Sequence, residues 1–292
     1  MGSCCLEKTS LYQNECILLA TKHAKSAAIH PVFLQNLGAH VIEYLLDTDQ
    51  FGTFSGEIQR KGTALECARE KCESLLNQFD SRVQFALASE GSFGPDPLLP
   101  FLTFNQEILY FIDRKRNIHV HVSHISYQTN YHGQEVSSLE ELHKLFDRLK
   151  FPSHALIIRS SHKEWDGPVF KGLDTEKAIE HAFGECLKKS QNGKIWIETD
   201  MRALFNPSRM KVIEETALKL CETLTTYCPV CEAPGWKAIT LERGLPCSDC
   251  GLKTNLVKSE IWGCPKCFFE EKKARSDGKE QASPANCHIC NP

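Results

Sequence analysis

The sequence predicts an α/β domain with a mixed sheet flanked by helices, followed by a small C-terminal module stapled by cysteines. Three observations carry the prediction. Before residue 227, short apolar runs alternate with stretches of helical periodicity, and two of the runs are joined by a tight polar turn. After residue 227, large apolar side chains become sparse. In that same region eight of the fifteen cysteines stand in four Cys-x-x-Cys pairs. Residues 1–14 read as a flexible tail, 15–226 as the α/β ligand-binding or catalytic domain, and 227–292 as the cysteine module.

Each element has its own signal. "ECILLAT" (15–21) is an apolar run bounded by polar residues, a strand, and "PVFLQNLG" (31–38) a helix closed by glycine. "HVIEYLL" (40–46) is a second strand. In "TALECAREKCESLLNQF" (63–79) Leu65, Ala68, Cys72, Leu75, Leu76 and Phe79 recur at helical spacing. "RVQFALAS" (82–89) is a third strand, and the acid- and glycine-bearing "EGSFGPDP" after it reads as a loop. "EILYFID" (107–113) and "NIHVHVSHI" (117–125) form the hairpin. Then come a helix over 138–149, a strand over 154–160, a helix over 175–189, a strand over 194–199 and a helix over 207–224.

Composition narrows the class. The chain is 41% hydrophobic and 24% charged, as in soluble globular proteins, and its net charge of -3 excludes a uniformly basic nucleic-acid binder. No run of apolar residues is long enough to span a membrane. The N-terminus lacks a signal-peptide core, and Leu6 stands where a myristoylation signal needs Ser or Thr. A reducing, cytoplasmic compartment is therefore expected, which disfavours disulfides.

The four pairs are Cys228/Cys231, Cys247/Cys250, Cys264/Cys267 and Cys287/Cys290. A Cys-x-x-Cys turn aims two thiolates at one tetrahedral ion, so four turns predict two structural Zn²⁺ sites and a double zinc ribbon. Pairing in sequence order gives two consecutive ribbons. Pairing first with third and second with fourth gives a cross-braced module, and both orders stay open. The charged stretch 270–285 reads as a mobile loop.

Polar motifs collect where strands end. "ATKHAK", "DTDQFGTFSGE", "SEGSFGPDP", "RSSHKEWDGPVFKG" and "ETDMRALFNPSRM" each follow a predicted strand. In open α/β sheets the ligand crevice lies outside the carboxyl ends of the strands. Clustered carboxylates (Asp47, Asp49, Glu57, Glu66, Glu90, Asp96, Asp200) suit Mg²⁺, which prefers oxygen. Cations near glycine-rich turns (Lys25, Arg60, Lys71, Lys171, Arg202, Arg209) suit phosphate. Together they predict a site for a phosphate-containing small molecule, with Gly91 letting it approach the backbone. The Lys-Gly dipeptides at 61–62 and 171–172 are expected on opposite rims of one crevice.

The string "ATKHAK", "DTDQFGTFSGE", "ASEGSFGP", "TDMRALFNPSRM", "CPVCEAPGW", "GLPCSDCG" and "CHICNP" resembles an uncharacterised, mainly bacterial family labelled as a domain of unknown function. A second resemblance covers about residues 15–95. Thr63, Glu66, Ala68 and Lys71, with Glu90-Gly91 after them, are similar to the helix and acid-glycine motifs of the inosine-triphosphatase and Maf-like nucleoside triphosphate pyrophosphatases. The sequence departs from that pattern at His23, in place of asparagine, at Lys25, one residue early, and at Cys67. The resemblance implies a metal-dependent hydrolase of phosphate esters or anhydrides. It implies that Glu66 and Glu90, with Asp47 or Asp49, hold Mg²⁺ and that Lys25 and Lys71 bind the triphosphate. Arg202 and Arg209 would close on phosphate or base, and Asp200 would join the same site.

The alternative is a protein without catalysis, sensing a nucleotide or docking on nucleic acid or protein through its zinc ribbons. Lys237, Arg243, Lys253, Lys258 and Lys266 with Trp236, Trp262, Phe268 and Phe269 supply charge and stacking surface, offset by six nearby acids.

Overall fold

A computed structural model describes residues 10–46, 62–161 and 167–292. The chain divides into two compact units: residues 1–112 with 121–220, and residues 113–120 with 221–292. The sequence reading put this boundary at 226/227; the division falls between Leu220 and Cys221.

The first unit holds two sheets. One contains β1 (Cys16–Ala20), β2 (His40–Tyr44), β3 (Phe85–Pro95), β4 (Thr103–Asp113) and β5 (Ile118–Ser126), in the order β2-β1-β3-β4-β5. β1 runs parallel to both β2 and β3. The links 96–102 and 114–117 are too short for a parallel crossover, so β4 and β5 return antiparallel and the sheet is mixed. The second sheet contains β6 (Gly133–Val136), β7 (Leu156–Arg159), β8 (Val169–Leu173) and β9 (Ile195–Thr199), ordered β6-β9-β7-β8 and antiparallel throughout. Strands β6 and β8 are too short and too polar to show an apolar run, and the sequence reading left both as connections.

Helices flank the sheets. α1 (Ser26–Leu37) packs on β2 and buries Ala28, Ile29, Val32, Phe33 and Leu37. It starts five residues earlier than expected and carries Pro31 inside. Its end is set by Gly38, which adopts a left-handed φ of 66° and returns its N–H to Leu34 O. α2 (Ala64–Gln78) packs on β1 and β3 through Ala68, Cys72, Leu75 and Leu76. α5 (Glu176–Lys189) covers the second sheet with Ile179, Ala182 and Phe183. α6 (Pro207–Leu224) holds the last residues of the first unit and Cys221–Leu224 of the second. The single helix expected over 138–149 is two short ones, α3 (Leu139–His143) and α4 (Phe146–Leu149).

α2 begins with a full capping box. Thr63 Oγ1 accepts from Glu66 N, and the Glu66 carboxylate accepts from Thr63 N at 2.8 Å. Thr63→Ala removes one acceptor from the helix start and is expected to cost about 1 kcal/mol, readable as a shift of the denaturant midpoint. No change in midpoint would mean the helix does not need its cap.

The second unit is a three-stranded antiparallel meander, β10 (Lys237–Arg243), β11 (Val257–Gly263) and β12 (Glu270–Ala274). The predicted loop over 270–285 is corrected here, because its first five residues pair with β11. Its buried apolar cluster is small: Cys228, Ala233, Trp236 and Cys264, with Cys231 and Trp262 against it. Among the described residues no helix is long and apolar enough to cross a membrane.

Candidate functional site

The sequence pattern of β3 decides the site. β1 stops at Ala20, opposite Ala88, while β3 continues to Pro95. "EGSFGP" is therefore strand, which corrects the loop expected there. Beyond Ala88 the β1 side of β3 carries no strand among the described residues. Buried polar groups gather along this length of β3. Strand alternation puts Glu90 on the face of Ala86 and Ala88, under α2, and Ser89, Gly91 and Phe93 on the other face.

On the α2 face, the buried Lys71 Nζ pairs with the buried Glu90 Oε1. On the other face, Arg209 Nε donates to Glu107 Oε1 at 2.6 Å, and both side chains are fully buried. Arg209 also donates to Met201 O, its ring-plane neighbour is Phe93 at 5.1 Å, and its backbone N–H is held by Asn206 Oδ1 at 2.9 Å. Gly91 is required at this point: a Cβ there would sit 2.5 Å from both Arg209 Nη2 and Glu107 Oε1.

Lys25 reaches the same place from the start of α1. Its Nζ donates to Ser89 O at 2.9 Å and Ser89 Oγ at 3.3 Å, and Ser89 Oγ in turn lies 3.3 Å from Glu107 Oε2. Burial pushes the Lys25 ammonium down to about 7, and the Arg209 and Lys71 cations add to this against the pull of Glu107 and Glu90. Two residues before Glu107, on the same β4 face, Asn105 is buried and its Oδ1 has no hydrogen-bond partner.

Asp200 and Arg202 form a third pair. Arg202 grips the buried carboxylate through Nε at 3.0 Å and Nη2 at 2.6 Å, and Gly172 N donates to Asp200 Oδ2 at 3.1 Å. Arg209 Nη1 on Met201 O ties this turn to Glu107, while "DTDQFGTFSGE", expected at the same place, lies outside the described residues. The expected partners differ in detail. Asp200 takes Arg202, one of the cations expected near it, while Glu90 takes Lys71 and Arg209 takes Glu107. Asp47, Asp49, Glu57, Arg60 and Lys61 lie outside the described residues, so the first rim of the Lys-Gly pair is not described. Glu66 is exposed and occupied by its capping role.

These partners bear on magnesium. Among the described residues every predicted acid of the site already has a cation or a backbone donor, and Glu90 and Glu107 stand on different strands with alternation turning Glu90 away. Among the described residues the acids form no group that could hold a metal ion, and Asp47 and Asp49, expected beside Glu66 and Glu90, lie outside the described residues.

Glu107 and Ser89 escaped the sequence reading. The signal was present: Glu107, Leu109 and Phe111 alternate in "EILYFID", so the acid shares the inward face of two apolar residues. An acid on such a face needs a buried cation.

In the second unit the eight cysteines form two groups, Cys228, Cys231, Cys264 and Cys267, and Cys247, Cys250, Cys287 and Cys290. The ligand atoms of each group lie within 4.8 Å of one another. Cys231 and Cys264 Sγ are 3.5 Å apart, Cys228 and Cys267 3.7 Å, Cys250 and Cys287 3.6 Å, and Cys247 and Cys290 3.9 Å. A tetrahedral ion with Zn–S bonds of about 2.3 Å spaces its sulfurs about 3.8 Å apart. Each group could hold zinc. Val230 N and Lys266 N also point at Cys228 and Cys264 Sγ, as donors that favour thiolate.

The pairing is the cross-braced one, and the meander is its reason. β10 leaves the first pair and ends beside the second, β11 returns to the third, and β12 runs back toward the fourth. The bridge between Cys247 and Ala282 closes the second group.

A family model described as "Domain of unknown function (DUF6671)" matches residues 71–292. The chain belongs to this family. The DUF6671 match takes in Lys71, Glu90, Glu107, Asp200, Arg209 and all eight paired cysteines, while Lys25 precedes it. A comparison with curated proteins found no match. Neither finding brings in the pyrophosphatases that the N-terminal motifs resemble.

Proposed function

We propose that the first unit binds a phosphate-containing small molecule beside β3, among Lys25, Lys71 and Arg209. One observation carries the reading: three cations from α1, α2 and α6 are buried around the Ser89–Gly91 stretch of β3, two of them paired with buried acids. Burying charge is costly, and such clusters gather where a ligand is bound. Asn105 Oδ1 supports a ligand with a hydroxyl or N–H to donate, such as a nucleotide or sugar phosphate. An incoming phosphate would draw on Lys71 and Arg209, exchanging one ion pair for another.

Binding without turnover fits this arrangement best, because the described carboxylates are already paired. A hydrolase keeps one observation in its favour. Glu90 is a buried carboxylate beside the cations, of the chemical type that serves as a general base. A screen of nucleotides and phosphate esters by thermal shift, with divalent metal present and absent, tests the first reading. A retained phosphate compound is expected, with Lys71→Met weakening it by about 1.5–3 kcal/mol, the scale of a charged hydrogen bond. If no phosphate compound binds, the reading is wrong. Turnover that disappears in Glu90→Gln while binding persists would establish the hydrolase.

The zinc ribbons as a nucleic-acid platform have less support. Trp236 is buried, stacked on Phe269 at 5.7 Å, and Lys273 lies 4.1 Å over Trp262, so two of the predicted stacking rings serve the unit's own packing.

A further inference from the structure

We propose that anion binding beside β3 is proton-linked: Lys25 stands there as a neutral amine in the ligand-free protein and takes up one proton when the anion arrives. The inference rests on the phosphate-site reading above and adds its regulation by pH.

The geometry separates Lys25 from its two neighbours. Lys71 holds Glu90 and Arg209 holds Glu107, each by an ion pair. Lys25 holds only Ser89, through the backbone O and Oγ, and no carboxylate of the described residues pairs with it. Its three N–H donors thus meet two neutral acceptors. Among the described residues, the charged groups that face it are Arg209 from α6, Glu107 from β4, Glu90 from β3 and Lys71 from α2. Two cations and two acids give no net attraction for a further positive charge, and burial opposes it. The ordinary lysine range is near 10.5, and here the group falls to about 7. A dianion placed against Lys25 would supply the missing countercharge in a poorly solvated site, where such pairing is strong.

The direction follows from linkage. Below about pH 7 Lys25 is already charged, and binding needs no proton. Above it each bound anion must bring one proton with it, so affinity falls by up to about tenfold per pH unit. Between about pH 7, where half the amines are already charged, and about pH 9 the expected loss is about fiftyfold.

The test uses the full chain and sulfate, a tetrahedral dianion whose own charge is constant over this range. Calorimetric titrations in two buffers of different ionisation enthalpy give the protons taken up per anion. Uptake of about one is expected near pH 8.5 and close to none near pH 6. In Lys25→Arg, which is charged at every pH used, sulfate should bind with no uptake and no pH dependence. Carbon-labelled lysine observed by nuclear magnetic resonance in the wild-type chain needs no substitution. A lysine titrating near neutrality in the free protein, moved upward by sulfate, is the expected result. Binding without uptake near pH 8.5, uptake that survives Lys25→Arg, or no lysine titrating near neutrality would each overturn the linkage while leaving the phosphate site standing. No binding of sulfate or of any phosphate compound at any pH would overturn both.

Discussion

Cys228→Ser is expected to unfold the C-terminal meander and lower the metal content from about two zinc equivalents per chain to about one, with the α/β unit left folded. The argument is one of scale. Apart from its cysteines, the cluster that closes this end of the unit offers Ala233, Trp236 and Trp262. A module this small rarely gains more than a few kcal/mol from its core. A structural zinc contributes on the order of 10–16 kcal/mol of binding free energy to folding. Cys228 belongs to the group that joins the residues ahead of β10 to those after β11, so its loss removes the clamp on both strands. The second group, at the other end of the meander, keeps its four sulfurs. Elemental analysis of wild type and variant, with hydrogen exchange resolved along the chain, reads both effects. Protein purified without chelator and found free of zinc would remove the assignment, as would a variant with unchanged metal and unchanged protection of β10 and β11.

Much of the fold can be read from the sequence because periodicity is a local property. α2, α5, α6, β1, β4 and β9 each carry an apolar pattern long enough to stand alone, and their observed bounds lie within a few residues of the expected ones. What was not legible depends on partners elsewhere in the chain. β6 and β8 are strands because β9 and β7 lie beside them, and nothing in "GQEV" or "VFKGL" says so. "EGSFGP" looks like a loop because Gly91, Gly94 and Pro95 are loop residues by propensity. It remains a strand because Gly91 leaves room for the Arg209–Glu107 pair, a tertiary reason that local preference cannot contain.

The metal groups and the charged cluster differ in the same way. Spacing alone marks the eight cysteines, since a chelating turn is built from residues three apart. Their cross-bracing was undecidable without β10, β11 and β12, whose charged, part-exposed sequences show no clear alternation. In the cluster, Lys25, Lys71, Glu90, Gly91 and Arg209 were legible as chemistry next to strand ends. Their pairing was not, because a carboxylate's partner is set by which faces of β3 and β4 the side chains occupy.

Glu107→Ala is expected to cost about 3–5 kcal/mol of stability, among the largest effects of any single substitution in the first unit. Both Glu107 and Arg209 are fully buried, and Arg209 Nε donates to Glu107 Oε1 at 2.6 Å. Removing the acid takes a buried carboxylate from a guanidinium that cannot shed its proton, since arginine stays charged at any accessible pH. Its contacts to Met201 O and the Phe93 ring would remain, but they bring no countercharge. Lys25, which feels Arg209 as a repulsive neighbour and Glu107 as an attractive one, would be driven further toward the neutral amine. The double variant Glu107→Leu/Arg209→Met separates two meanings of this loss. Replacing both members by apolar groups of similar volume removes both charges, and buried pairs treated this way often return to near wild-type stability. If the pair exists for the ligand, the double variant should melt close to wild type and fail to bind phosphate. If it exists to hold the fold, the double variant should remain several kcal/mol unstable, because the ties from α6 to β4 and to the Asp200 turn run through the guanidinium. Denaturant unfolding of the two single variants and the double decides between them, and a single Glu107→Ala that costs less than about 1 kcal/mol would show that the pair is not buried as described.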